Sequence, residues 1–60
     1  MNDTQKANEL IRIHEEILDV MKRFGYREIN LSFDEIRNAN RLCDALRSIE
    51  EVIIDFSKLD

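Results

Sequence analysis

Two stretches of this chain carry apolar residues at the spacing of an amphipathic helix. The first runs from about residue 4 to 24 and the second from about residue 33 to 57. At about 100° per residue, the apolar residues of each stretch fall on one side of a helix and the charged residues on the other. The heptad-spaced positions are Leu10, Ile17 and Phe24 in the first stretch, and Leu42, Ile49 and Phe56 in the second. The pattern predicts two long helices.

The first helix has a clear C-terminal stop signal in Gly25, the only glycine of the chain. A residue without Cβ adopts the left-handed conformation that ends many helices at no steric cost. Tyr26 would then contact Met21 one turn back, as in a Schellman motif. We therefore expect the first helix to end at Phe24 or Gly25. Its start is less defined, because Asn2, Asp3 and Thr4 can all act as N-caps.

The second helix is preceded by two N-terminal signals that agree on one position. Ser32 and Glu35 have the spacing of a capping box, in which each side chain accepts a hydrogen bond from the other residue's backbone N–H. Leu31 and Ile36 occupy the two positions of a hydrophobic staple. The segment 25–32 is therefore predicted to be a loop, and its apolar residues are expected to close the end of the core.

Matching heptads on two helices joined by a short loop indicate antiparallel packing at a shallow angle. The fold class is therefore all-α, with residues 1–60 forming one helical-hairpin domain. The predicted register brings together Phe24 with Ile36, Met21 with Ala39, Ile17 with Leu42 and Leu46, and Leu10 with Ile53.

The apolar stripe on each helix is about half the circumference wide, which is more than one neighbouring helix covers. A short chain also buries a small share of its surface, and oligomerisation often supplies the missing stability. We therefore expect a homodimeric four-helix bundle, or a groove for another protein. The expected interface residues are Leu10, Ile11, His14, Ile17, Leu18, Met21, Asn38, Leu42, Leu46, Ile49, Ile53 and Phe56.

Composition excludes several classes of protein. The charged fraction is 37% and the apolar fraction 43%, which is typical of neither disordered nor membrane proteins. No apolar run is long enough for a bilayer span, and the N-terminal sequence lacks the order of a signal peptide. We expect a cytoplasmic protein. With one cysteine and one histidine, neither an internal disulfide nor a four-ligand zinc site is expected, and no cofactor is predicted.

His14 and Asn38 are the polar residues predicted on the apolar faces. His14 lies between Leu10 and Ile17, where it is either a core histidine bonded to another helix, or a pH switch or metal ligand. Asn38 of the same hairpin, or its counterpart in a dimer, is a candidate partner for it, and a buried amide there would fix register or oligomeric state. No carboxylate or cysteine of the same face is expected to share a metal with His14. Cys43, at the edge of the apolar arc, is interpreted as a small buried side chain.

The acidic residues are not expected to form a catalytic centre. A metal-dependent helical hydrolase needs its carboxylates to converge inside the bundle. Six carboxylates are candidates for this role, and all but Glu50 fall on the charged faces, where Asp19 and Arg23 form an ordinary neighbour pair. They are Glu15, Glu16, Asp19, Glu50, Glu51 and Asp55. The sequence contains no triad arrangement, glycine-rich phosphate loop or Glu-x-x-His motif. The protein is therefore expected not to be an enzyme.

The charge distribution is asymmetric. Residues 20–41 contain five basic and three acidic residues, so the chain's net charge of −4 resides elsewhere. An aromatic residue among cations can stack on and pair with an anionic ligand such as RNA or a nucleotide. The residues of this possible surface are Lys22, Arg23, Tyr26, Arg27, Arg37 and Arg41. The alternative is that these cations have structural roles: Lys22 and Arg23 interact with the negative end of the helix dipole, and Arg37 pairs with Asp34.

Two functional hypotheses follow. The first is a small regulatory protein, such as an adaptor, co-chaperone or inhibitor of phage or plasmid type, that binds another protein as a dimeric hairpin. The second is a small RNA- or nucleotide-binding hairpin dimer that uses its basic tip.

Overall fold

The computed structural model describes residues 1–58 and contains two α-helices, α1 (Asp3–Arg23) and α2 (Phe33–Ser57). They pack side by side as an antiparallel hairpin measuring 43 × 16 × 14 Å. The predicted all-α two-helix hairpin is therefore confirmed, and each helix end lies within one residue of its predicted position. Residues 59–60 of the predicted domain lie outside the described residues.

Helix α1 begins with a capping box. The N–H of Gln5 donates to Oδ1 of Asn2 at 2.8 Å, and the N–H of Asn2 donates to Oε1 of Gln5 at 3.0 Å. Asn2 is thus the N-cap among the three candidates. These reciprocal bonds satisfy two backbone donors that a helix start leaves without partners.

The C-terminal end of α1 forms the predicted Schellman motif at Gly25, whose φ is +78°. The N–H of Tyr26 donates to the carbonyl of Met21, and the N–H of Gly25 donates to the carbonyl of Lys22, both at 3.0 Å. These bonds reverse the chain direction immediately after Phe24.

The predicted capping box at the start of α2 is also confirmed. The N–H of Glu35 donates to Oγ of Ser32 at 3.2 Å, and the N–H of Ser32 donates to Oε1 of Glu35 at 3.1 Å. This arrangement fixes where the chain re-enters a helix after the loop.

The core is a single seam between the two helices. Within residues 1–58 only Ala7, Met21 and Leu46 are buried. Two contacts across the seam define its register: His14 with Glu50, and the Lys6 ammonium 5.6 Å from the centre of the Phe56 ring. This agrees with the predicted alignment of Leu10 with Ile53. The other seam residues are half-buried: Leu10, Ile17, Leu42, Ile49, Ile53 and Phe56.

Two predictions about burial were wrong. Ile29 does not close the core, because it lies at the tip of the loop and is 97% exposed, whereas Tyr26 and Leu31 are half-buried. Cys43 is exposed rather than buried, because it lies on the side of α2 that α1 does not cover.

Neither helix within residues 1–58 has a stretch long and apolar enough to cross a membrane.

Replacing Gly25 by alanine is expected to destabilise the hairpin by about 1–2 kcal/mol, the cost of a left-handed backbone for a residue with Cβ. A Cβ at this position would meet only the Glu28 side chain, at 3.7 Å, so the cost comes from the backbone. Gly25→Asn is the matched control, since asparagine tolerates this conformation better. Urea unfolding at one protein concentration measures both variants, and equal losses would contradict the backbone explanation.

Candidate functional site

The hairpin has an apolar row on each side of its seam. The rows start from Ile11 and Ile13, which are two residues and therefore about 200° apart on α1. Ile11 is 41% exposed and Ile13 is 38% exposed, so neither is covered by α2. We call the two rows the Ile11 flank and the Ile13 flank. The Ile11 flank comprises Ile11, Leu18, Ile36, Cys43 and Ile54, and the Ile13 flank comprises Ile13, Val20, Phe24 and Val52.

Each flank contains an open groove over the seam. The groove on the Ile13 flank has a volume of about 270 Å³ and is lined by Ile13, Val20 and Phe24 together with Leu42. The groove on the Ile11 flank has a volume of about 420 Å³ and is lined by Leu18, Ile36 and Cys43, with Tyr26 and Arg27 at its rim. Exposed apolar surface therefore continues from one helix to the other on both sides.

Most of the twelve predicted interface residues lie in the seam of the hairpin itself. Nine of them are buried or half-buried between α1 and α2, and the three that are exposed are Ile11, Leu18 and Asn38. The structure thus separates the residues that hold the hairpin together from those that remain free to contact another molecule.

His14 and Glu50 form the polar contact of the seam, at its border with the Ile11 flank. The Nε2 atom of His14 lies 3.2 Å from Oε2 of Glu50, and the His14 side chain is 21% exposed. This nitrogen is buried but is not aligned for a hydrogen bond with any group in residues 1–58. By helical spacing Ile11 and Leu18 neighbour His14, and Ile54 neighbours Glu50. The pair is therefore surrounded by the exposed aliphatic side chains of this flank.

The prediction that Asn38 is the partner of His14 within the hairpin was wrong. Asn38 is exposed near the loop, far along α2 from Glu50. The structure instead places Glu50 of the facing helix beside His14. The predicted register contained a signal for this pair. Moving about one helical turn from the predicted Leu10 and Ile53 pair, forward along α1 and back along α2, reaches residues 14 and 50.

The remaining close charge pairs lie along the outer helix faces. Asp19 pairs with Arg23 at 3.4 Å, as predicted. The hydrogen bond and charge of Glu9, with a further contribution from Glu16, raise the pKa of Arg12 above its ordinary value. Arg12 is therefore paired with carboxylates of its own helix.

The possible anionic-ligand surface is partly occupied by the protein's own carboxylates. Arg37 lies 2.7 Å from Asp34, as expected, and Arg23 is held by Asp19. The Tyr26 ring packs edge-on against Phe24, with centroids 5.5 Å apart. Within residues 1–58, the cations of this surface that have no carboxylate within 4 Å are Lys22, Arg27 and Arg41.

No group of three or more His, Cys, Asp or Glu side chains in the described part of the chain is arranged to hold a metal ion. Cys43 lines the groove of the Ile11 flank and is the single free thiol.

Comparison with protein-family models, with curated proteins and with solved structures gave no match.

His14→Leu is expected to stabilise the protein by about 1 kcal/mol, because leucine fills the seam without a polar atom to desolvate. Glu50 remains solvated after this change, since its side chain is exposed. Glu50→Gln is the control and is expected to shift the free energy of unfolding by less than about 0.5 kcal/mol. Urea unfolding measures both variants, and a clear loss of stability in His14→Leu would contradict a merely tolerated histidine.

Proposed function

We propose that this protein is a non-enzymatic interaction protein that works as a homodimeric four-helix bundle, paired through the Ile11 flank. The observation that carries the proposal is the exposed aliphatic row on this flank. Leu18 on α1 is 39% exposed and Ile54 on α2 is 52% exposed, in addition to Ile11. A contiguous apolar patch on a small protein usually marks a contact surface.

A second copy of the chain is the partner that best compensates for the small core of the hairpin. A chain of this size buries little surface on folding, and only three residues of the described part are buried in the hairpin. A two-fold dimer places the same patch of both copies in one interface and so covers the Ile11 flank of each copy at once. Two hairpins stacked in this way make a four-helix bundle.

The Ile11 flank is favoured over the Ile13 flank by His14. The His14 side chain is 21% exposed and that of Glu50 is 56% exposed, so a second copy on this flank would border a polar contact. A polar atom at the edge of an apolar interface restricts how two copies can align.

The Ile13 flank remains exposed in this dimer and is proposed as the surface that binds another protein. Its groove is almost wholly apolar and runs along the helices. An amphipathic helix, which inserts apolar residues at positions i, i+3 or i+4, and i+7, fits such a groove. The protein would then act as an adaptor, co-chaperone or inhibitor by binding a helix of its target in this groove.

Ile11→Ser is expected to shift the protein from dimer to monomer, because a hydroxyl replaces an aliphatic side chain in the interface. Ile13→Ser is the matched control: both are isoleucines of α1 with nearly equal exposure, on opposite flanks. Sedimentation equilibrium at micromolar concentration should show a dimer for the parent chain and for Ile13→Ser. A monomeric parent chain would contradict the proposed dimer, and dissociation by Ile13→Ser alone would assign the interface to the other flank.

The alternative function, anionic-ligand binding at the loop, is weakened by the two arginines held by carboxylates and is favoured only by the three free cations. Binding of a short single-stranded RNA at low salt is therefore expected to be weak. If RNA does bind tightly and its affinity falls steeply with rising salt, as phosphate contacts require, the alternative is supported. The triple variant of Lys22, Arg27 and Arg41 to glutamine should then abolish binding.

A further inference from the structure

We infer that the two copies associate head to tail, with the loop of one hairpin beside the chain termini of the other. This inference rests on the proposed dimer and adds its orientation. It follows from the distribution of charge along the hairpin, together with the position of the exposed rows.

Two segments of the hairpin, a shorter one at the loop and a longer one at the open end, carry opposite net charges; we call them the loop half and the open half. The loop half, residues 20–41, has five basic and three acidic residues. The open half, residues 3–19 and 42–58, has four basic and nine acidic residues. The hairpin is therefore an elongated electric dipole, positive at the loop and negative at the open end.

Ion pairs within the hairpin leave this polarity in place. In the loop half Lys22, Arg27 and Arg41 have no carboxylate within 4 Å, and Glu28 and Glu35 have no cation within 4 Å. Over residues 3–19 and 42–58, the carboxylates with no Lys or Arg within 4 Å are those of Glu15, Asp44, Glu50, Glu51 and Asp55, and Arg47 and Lys58 have no carboxylate within 4 Å among the described residues. The charges without an oppositely charged partner therefore have a net value of +1 in the loop half and −3 in the open half, so the two ends still differ in sign.

The dimensions decide which charges interact. The long axis of the hairpin is 43 Å, several times the Debye length of about 8 Å at physiological salt, so charges at opposite ends barely interact. Packed helices lie about 8–10 Å apart, so ends that face each other across the interface interact with only partial screening. Head-to-tail packing makes both facing pairs unlike in sign, whereas parallel packing makes both pairs alike.

The exposed row on α1 is compatible with this arrangement. A two-fold axis perpendicular to the helices packs α1 on the partner's α1 in antiparallel fashion. Ile11 and Leu18 are one heptad apart, so an axis midway between them places Ile11 of each copy against the partner's Leu18. His14 then lies beside the axis, close to the second copy.

The orientation can be measured with one spin label on each copy. In a Cys43→Ala background, Asn30→Cys places a nitroxide at the loop, and pulsed electron paramagnetic resonance reports the distance between the two labels. Head-to-tail packing predicts a distance close to the 43 Å length of the hairpin. Parallel packing places both loops on one side, within about 20 Å across helices spaced 8–10 Å apart.

A mixed sample supplies the complementary measurement. Thr4→Cys labels the open end, and in a mixture with the Asn30→Cys protein the head-to-tail dimer gives a short distance between the two kinds of label. A short loop-to-loop distance would overturn the head-to-tail orientation and leave the dimer intact. A monomeric mass with no distance between copies would overturn the proposed dimer itself.

Charge reversal tests the cause of the orientation. Arg27→Glu removes a free cation of the loop half, so it should weaken a head-to-tail dimer several-fold and strengthen a parallel one. For the parent chain, the dissociation constant should rise between about 50 mM and about 500 mM salt, because screening removes attraction between unlike ends. A dissociation constant that falls over this range would contradict the inference.

Discussion

Each helix of this protein has one neighbour within the chain, and the remaining features of the structure depend on that constraint. A helix with one neighbour covers a narrow strip, so only side chains on the line of contact, such as Met21 and Leu46, are buried. The apolar stripe continues past this strip to Ile11 on one side and Ile13 on the other. Because so little apolar surface is covered, the ends of the helices must be fixed by local hydrogen bonds, and both capping boxes and the glycine turn supply them.

The parts of the fold that sequence reasoning predicted are those that depend on residues a few positions apart. Gly25, Ser32 and Glu35 define the loop because capping is a matter of spacing along the chain. The choice of Asn2 as the first N-cap had a signal of the same kind. Gln5 lies three residues after Asn2 and completes a capping box, whereas Asp3 and Thr4 are followed at that spacing by Lys6 and Ala7.

The parts that sequence reasoning missed depend on how much of each helix surface the neighbouring helix covers. Periodicity places Cys43 at the margin of an apolar arc, but whether a margin is covered depends on interhelical distance and rotation, which periodicity does not contain. Glu50 was missed for a related reason. Its position on the wheel is marginal, but its long side chain allows the carboxylate to reach His14 across the seam while the rest of it remains exposed.

Affinity and orientation have different physical origins in the proposed dimer. Aliphatic side chains attract one another without regard to direction, and the heptad relation of Ile11 and Leu18 accommodates a partner helix running either way. The apolar row can therefore stabilise a dimer without selecting one arrangement. Polar groups make that selection, because a like-charged pair brought together across an interface is penalised whereas a misplaced methyl group is tolerated. For this reason the free cations at the loop and the free carboxylates in the open half determine the orientation of the proposed dimer, although they contribute little to its stability.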